Sequence, residues 1–391
     1  MTKEEKKTNK AADRKDKKKK SLRITVIILV FILVSLVAFF AVPTIIQNGR
    51  ENIPDFGNQS GENTDMGDNF LFSAENGEFG SVYSLSGTGV ISSGSSYISF
   101  DGRGKIISLE KTGFSSSSMK HSGKRYIVFE RSTGKYMLMD KNGATYSSQL
   151  DGEIVNAAVS SGGNYAVISR KTLATSLLTV YSYKNEILFQ WECNDGYLTD
   201  CALSSDGKKI AAVLFDVENG SESSEVITFT VKSTNTEQKI SSDSVVYSVR
   251  FINGDKLGIV TDKKYIIADF SSGDTLKAEY EYDTLSGCYL GENGNTAVLK
   301  SDFGSLDSKN ITVFDRKANT VFSAKVGNDV IDFCADKSFV YVMTPYKITL
   351  YALSTGEEYK SLETVGGLKC MNVISGKIFC ASEDAVYMYK R

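Results

Sequence analysis

The chain has 391 residues, with 45 Lys or Arg against 47 Asp or Glu, six Cys and a single His. This length is enough for one large soluble domain or two ordinary ones. A Ser-His-Asp triad would depend entirely on His121, which is predicted to lie in a solvent-side turn beside Lys120, Lys124 and Arg125. Such neighbours disfavour the charged form of an imidazole, so the composition argues against that class of enzyme.

Residues 1–23 are predicted to form a basic cytoplasmic tail. They contain eleven Lys or Arg and four acidic residues, a local balance of +7. Because a basic flank is retained on the cytoplasmic side of a membrane, this segment sets the orientation of the chain. It is short and has no aromatic residue, which argues against a role in binding nucleic acid.

Residues 24–46 are predicted to form one transmembrane α-helix. Residues 24–42 carry no charge, and as a helix they would cover ~29 Å, close to the thickness of a bilayer core. The apolar run is longer than the core of a cleaved signal peptide, and no pair of small residues suited to cleavage follows it. We therefore expect a single-pass protein of the cell membrane whose C-terminal domain is extracellular.

Residues 47–68 are rich in Asn, Gly, Asp and Glu, which predicts a flexible linker. From residue 69 to residue 391, short runs of Val, Ile, Leu, Phe, Tyr and Thr alternate with polar residues and are separated by Gly, Asn, Asp and Ser. This segment has one proline, Pro345, and no helical periodicity over ten or more residues. It is therefore predicted to be all-β.

A strand–turn–strand phrase, exemplified by DCALSSDGKKIAAVLF from Asp200, recurs along this segment. Its period is about 40 residues, with four strands in each repeat, which is typical of β-propeller blades. We predict eight four-stranded blades, with seven as the alternative because the first unit is short and rich in glycine. The last unit, residues 368–390, has only three strands, and residues 69–74 are predicted to supply the fourth and close the ring.

The phrases LSSDGKKIAAV and ITVFDRKANTV resemble the second-strand and third-strand motifs of WD-repeat-like and quinoprotein-like propellers. The whole plan resembles an uncharacterised Gram-positive bacterial family of single-pass membrane proteins with an extracellular domain of unknown function. That likeness is closest at WECNDGYLTDCALSSDGK, and it implies a fold and a topology but no reaction and no catalytic residue. The chain departs from true WD repeats because it lacks their Trp-Asp and Gly-His dipeptides.

No cofactor, metal ion or catalytic residue is predicted. The six cysteines form no CxxC pair and have no histidine partner, so we expect buried free thiols, with the disulfides Cys193–Cys201 and Cys370–Cys380 as the alternative. Cys201, Cys288 and Cys370 are predicted to share one place in the innermost strand. Quinoprotein propellers carry a tryptophan in almost every blade, whereas this chain has only Trp191. Paired carboxylates leave an enzyme acting on envelope polysaccharide as an alternative.

Three connections between second and third strands are long, at residues 170–176, 216–224 and 301–310, and all should emerge on one face of the ring. The candidate partner-binding residues on these loops are Asp216, Glu218, Glu222, Asp302, Phe303 and Asp307. The main prediction is a non-catalytic, membrane-anchored extracellular propeller that binds a protein or cell-envelope partner there. A transmembrane sensor is the other alternative, although 23 cytoplasmic residues are too few to fold as an output domain.

Overall fold

The computed structural model describes residues 69–73, 78–170, 176–194, 196–218, 220–233, 236–279, 284–291, 294–301 and 308–391. Every regular element of this described part is a β-strand, and it contains no helix able to span a membrane. The predicted cytoplasmic tail, transmembrane helix and linker, residues 1–68, lie outside it. Three of the predicted partner-binding residues, Asp302, Phe303 and Asp307, also lie outside it.

The described strands form eight antiparallel sheets of four strands, and each sheet is one blade of a propeller. The first strand of the chain, β1 (Phe70–Ser73), belongs to the last blade. Blades 1 to 4 contain β2 (Phe79–Leu85), β3 (Thr88–Ser93), β4 (Ser96–Asp101) and β5 (Ile106–Lys111); β6 (Ser117–Ser122), β7 (Arg125–Glu130), β8 (Lys135–Asp140) and β9 (Gly143–Gln149); β10 (Glu153–Val159), β11 (Tyr165–Arg170), β12 (Ser176–Tyr181) and β13 (Ile187–Cys193); and β14 (Tyr197–Leu203), β15 (Lys209–Glu218), β16 (Ser221–Thr230) and β17 (Thr236–Ser242).

The second half of the ring repeats this order. Blades 5 to 8 contain β18 (Val246–Phe251), β19 (Lys256–Thr261), β20 (Lys264–Asp269) and β21 (Thr275–Glu279); β22 (Thr284–Leu290), β23 (Thr296–Ser301), β24 (Ser308–Phe314) and β25 (Thr320–Gly327); β26 (Asp332–Ala335), β27 (Phe339–Thr344), β28 (Lys347–Ala352) and β29 (Glu358–Glu363); and β30 (Cys370–Ile374), β31 (Lys377–Ala381) and β32 (Ala385–Lys390) with β1. The prediction of an all-β fold with eight four-stranded blades is confirmed, and the alternative of seven is wrong.

Blade 8 joins the two ends of the propeller. Strand β1 pairs antiparallel with β32, and Phe72 lies opposite Val386. The Phe72 ring is buried and packs edge-on against Phe79 and Phe100 of blade 1, each at a centroid distance of 5.9 Å. Since this strand both completes blade 8 and covers blade 1, the predicted closure of the ring is confirmed.

The hydrophobic core lies between the blades. Between blades 3 and 4, for example, Ile168, Leu178 and Phe189 pack with Ile210 and Phe229, and all five are at most 5% exposed. Burying a side chain of this size contributes about 1.5–3 kcal/mol to stability. Each such group of side chains therefore stabilises the contact between two neighbouring sheets, either of which would be exposed on both faces if it were alone. Each blade carries large apolar residues on both of its faces, because each face packs against a neighbouring blade.

Local turn chemistry sets the repeat. In the phrase LSSDGKK, Ser204 Oγ accepts hydrogen bonds from the backbone N–H groups of Lys208 and Lys209, and Gly207 N–H donates to the Ser204 carbonyl at 2.9 Å. Gly207 has a φ of +69°, a value that favours glycine. The phrase therefore forms the turn between the first and second strands of blade 4, as predicted.

Candidate functional site in the channel and on the connection face

The innermost strands of all eight blades surround an axial channel. The channel encloses a cavity of about 680 Å³, a volume within the range of ligand pockets. Its wall includes Lys120 from blade 2, Arg250 from blade 5, Tyr289 from blade 6, Asp332 from blade 7 and Asn372 from blade 8. The wall of the channel is therefore polar and charged at several points rather than uniformly apolar.

One ion pair bridges blades that are not adjacent. Lys120 Nζ lies 3.1 Å from Asp200 Oδ1, although Lys120 belongs to blade 2 and Asp200 to blade 4. The same carboxylate oxygen accepts hydrogen bonds from Asn156 Nδ2 of blade 3 and from the Cys201 backbone, both at 2.9 Å. Because Asp200 is buried, these three donors compensate a charge that would otherwise be costly to desolvate.

A second carboxylate, Asp332, lies half-buried on the wall of the channel in blade 7. Its Oδ1 accepts the Phe333 N–H at 2.8 Å, and its Oδ2 accepts the Met371 N–H of blade 8 at 2.7 Å. Among the described residues, no Lys or Arg forms an ion pair with it. Burial raises the pKa of Asp332 to about 6, and the two backbone N–H groups oppose that shift.

His121 is not in a solvent-side turn, contrary to the prediction. It is the fifth residue of β6, is half-buried and lines the channel. Its ring packs edge-on against Tyr83 of blade 1 at a centroid distance of 5.9 Å. His121 lies in the strand because it still pairs with Tyr126 and the turn consists only of Gly123 and Lys124.

The cysteines of the channel have the character of packing residues. All six cysteines of the chain are free thiols, and five of them are buried. Burial raises the pKa of Cys201, and it raises that of Cys288 to about 11, so both are protonated at neutral pH and poorly nucleophilic. Cys201 and Cys288 share one position of the innermost strand, as predicted, since each is the fifth residue of its strand, whereas Cys370 is the first residue of its own strand. No group of three or more metal-ligating side chains occurs within the described residues.

We define the connection face as the face of the ring that carries the turns between second and third strands and the connections between blades. The predicted loop at 216–224 is in fact the end of a long hairpin on this face, because β15 and β16 remain paired from Lys209–Thr230 out to Glu218–Ser221. The fourth strand of the blade pairs only as far as Ser224. The last three residue pairs of the hairpin therefore extend beyond the sheet.

The predicted partner-binding residues are only partly located. Asp216 and Glu222 lie on this hairpin and both are exposed. Glu218 is the last residue of β15, but its side chain is not among those that the structure describes. The structure thus brings two of the six candidates, Asp216 and Glu222, to one protruding element.

Exposed apolar side chains occupy the same face, which the sequence analysis missed. Among the described residues ten large hydrophobic side chains are exposed, and five of these lie on the connection face: Tyr197, Val217, Tyr247, Ile331 and Tyr346. Tyr197, Tyr247 and Ile331 lie where innermost strands begin, and Tyr346 lies in the turn between β27 and β28. The sequence contains one signal for these exposed side chains. It is an aromatic residue directly before a polar residue near the start of an innermost strand, as at Tyr247 and Ser248.

The fold, the closed ring and the channel together define an eight-bladed β-propeller with the WD40-like blade pattern. The chain belongs to a family of unknown function (DUF5711), whose family profile matches residues 72–385. The match covers the propeller except the first two residues of β1 and all of β32 after Ala385.

Solved propellers share this fold at low sequence identity. BamB from Moraxella catarrhalis is 13% identical, with a TM-score of 0.51, over 79% of this chain and 93% of BamB. The C-terminal WD40 domain of Sif2 is 11% identical, with a TM-score of 0.59, over 82% of this chain and 98% of that domain. Saccharomyces cerevisiae Sqt1 is also 11% identical, with a TM-score of 0.58, over 83% of this chain and all of Sqt1.

One curated relative is similar in sequence over a shorter stretch. GID complex subunit 7 of Schizosaccharomyces pombe is 28% identical over 130 residues, which is 33% of this chain and 24% of that protein. The chain therefore matches about a quarter of the relative's length. Together, these similarities show that the chain has the β-propeller fold.

Proposed function

We propose that this chain is a non-catalytic, membrane-anchored extracellular propeller that binds a protein or cell-envelope partner through its connection face. The observation that carries the proposal is the set of exposed apolar side chains on that face. Tyr346, Tyr247 and Tyr197 are 72%, 57% and 49% exposed, and Val217 extends the set onto the protruding hairpin. Tyrosine is enriched at protein interfaces because it combines a large apolar ring with a polar tip.

The charge on the hairpin supports the same face. Glu222 pairs directly with Val217 across the hairpin, and Asp216 is the residue before Val217 on the same strand. An apolar centre with a charged rim is the arrangement found in binding surfaces, where rim charges steer the encounter and exclude wrong partners. We infer a partner with apolar side chains at its centre and basic groups at its edge.

The membrane anchor rests on the sequence of residues 1–46. The basic segment followed by an uncharged stretch of nineteen residues supports a single-pass protein with its N-terminus in the cytoplasm. The linker at 47–68 would then hold the propeller outside the cell, at the envelope. The resemblance to a family of single-pass membrane proteins supports the same arrangement.

Photo-crosslinking in native membranes tests the proposal. A photoreactive amino acid is placed at Tyr247 or Tyr346 of the full chain, and at Tyr183 or Tyr359 as matched controls. The controls are 63% and 62% exposed but lie in or next to turns of the opposite face. We expect one defined adduct from the connection face and none from the controls. The same adduct from both pairs, or from neither, would contradict the proposal.

A second experiment separates binding from folding. The triple variant Tyr197→Ser, Tyr247→Ser and Tyr346→Ser should keep the melting temperature of the wild type, because these side chains are exposed, but should lose the partner in a pull-down. A variant with Tyr183→Ser and Tyr359→Ser should retain it. If the triple variant recovers the same partner as the wild type, the face has been assigned wrongly.

A further inference from the structure

The channel contains two equivalent carboxylates. Asp200 and Asp332 each pair with the fifth residue of the second strand of their blade, and each accepts the N–H of the next residue in the chain. Lys120 of blade 2 and Arg250 of blade 5 line the same channel, each two blades before one of these carboxylates.

Within the described residues, only the first carboxylate forms an ion pair. Lys120 extends past blade 3 to Asp200, whereas Arg250 Nη1 donates to the Leu290 carbonyl of blade 6 at 3.0 Å. In blade 3 the Asn156 amide also donates to Asp200 at 2.9 Å, whereas the equivalent residue of blade 6 is Gly287, which has no side chain.

The chemistry around Asp332 suits a bound cation. Each carboxylate oxygen accepts one backbone N–H, and a carboxylate has about four acceptor positions, so roughly two remain. A half-buried carboxylate with free acceptor positions is a favourable environment for an organic ammonium group, which gains an ion pair and charge-assisted hydrogen bonds.

We propose that the channel wall at Asp332 binds a primary alkylammonium group, either of a free amine or of a lysine side chain. The internal template is the Lys120–Asp200 pair, in which a butylammonium chain already occupies the space before the equivalent carboxylate. Asp332 directly follows Ile331 of the connection face in the chain, but it lines the channel rather than the outer surface.

The titratable groups near Asp332 are neutral thiols, so the carboxylate is the main charge at the site. Cys334 on its own strand, Cys370 on β30 and Cys380 on β31 interact with this carboxylate electrostatically, and burial raises the pKa of all three thiols. They are neutral at pH 5 to 8. Bound ammonium should consequently be released as the pH falls through the pKa of Asp332, while a neutral ligand should show no such dependence.

Calorimetric titration of the full chain in detergent micelles tests the site, with n-butylammonium as the probe. The matched controls are n-butanol, which has the same chain without charge, and butyrate, which has the opposite charge. We expect a dissociation constant of ~1–10 mM for butylammonium, because a ligand of five non-hydrogen atoms is limited to weak binding. Binding should weaken at least tenfold in Asp332→Asn, and it should be unchanged in Asp274→Asn, an exposed carboxylate elsewhere.

Two further arms keep the result decisive. If Asp332→Asn fails to fold, the wild type still tests the site, because binding of butylammonium but not of butanol should weaken between pH 7 and pH 5. The variant Lys120→Ala opens the space before Asp200, so butylammonium should raise its melting temperature more than that of the wild type. Equal binding of butylammonium and butanol, or undiminished binding in a folded Asp332→Asn variant, would overturn the proposal.

Two more ligands distinguish a free amine from a lysine side chain as the source of the ammonium group. Spermidine represents free amines, and Nα-acetyl-lysine amide represents the lysine side chain of a partner. Binding of spermidine alone would assign the site to a free amine, and binding of the lysine amide would assign it to an inserted side chain. Failure of both, together with failure of butylammonium, would reject the site while leaving the connection face untouched.

Discussion

Replacing Lys120 by Met should destabilise the propeller, because it leaves the buried Asp200 carboxylate without its cation. Asp200 is only 6% exposed, and Lys120 Nζ lies 3.1 Å from it. Removing one partner of a buried ion pair costs about 3–5 kcal/mol. The Lys120 side chain is 38% exposed, so solvent screens part of the attraction, and Asn156 and Cys201 still donate hydrogen bonds to the carboxylate. We therefore expect a loss of about 2 kcal/mol.

Urea unfolding and thermal melting of the full chain measure this loss. A destabilisation of about 2 kcal/mol should lower the melting temperature by about 3 °C, because the unfolding entropy of a domain of about 320 residues is large. The matched control is Lys369→Met, which removes a pair with Glu383 whose side chains are 50% and 60% exposed. That control should change the free energy of unfolding by at most ~0.5 kcal/mol. Equal effects of the two substitutions would refute the argument that burial of Asp200 decides the cost.

Three other outcomes are expected. Phe72→Ala should lower the free energy of unfolding by about 3 kcal/mol, because it removes a buried ring from the strand that closes the ring of blades; a loss below ~1 kcal/mol in urea unfolding would mean that β1 contributes little to closure. Hydrogen bonds, first from Thr133, lower the pKa of Glu130 to about 2 from its ordinary value of 4.5. Since a depressed carboxyl pKa stabilises the fold above the ordinary value, this contribution should disappear as the pH falls from 4.5 towards 2, and melts of Glu130→Gln should lack that slope. In intact cells, a membrane-impermeant maleimide should label Asp55→Cys but not Lys10→Cys, and the reverse pattern would exclude the proposed orientation.

The sequence predicted the number of blades because each blade repeats the same local chemistry. The turn at Ser204 to Gly207 forms from residues within one phrase, and its period along the chain counts the sheets directly. Closure was predictable for a related reason, since a final unit with three strands requires a fourth. The repeated turn depends on residues that are close in sequence, and the closure follows from the missing fourth strand of the last unit.

The channel was not predictable, because its contacts join distant parts of the chain. Lys120 and Asp200 are separated by 80 residues, and nothing in either local sequence indicates that the side chains meet. The hairpin at 216–224 was predicted as a loop, although the Asn-Gly pair at its centre is a strong signal for a two-residue hairpin turn. Polar residues in the flanking strands hid the alternation, because both faces of this extension are exposed.

The pairing of β1 with β32 has a consequence for biosynthesis. Phe70 can pair with Tyr387 only after the ribosome has added Tyr387, more than three hundred residues later. Until then β1 has no partner strand, and blade 1 has no complete neighbour on that side. Contacts of such sequence separation form slowly, and unpaired strand edges invite association with other chains in the interval. The nascent chain therefore exposes the edge of its first strand until β32 has been synthesised.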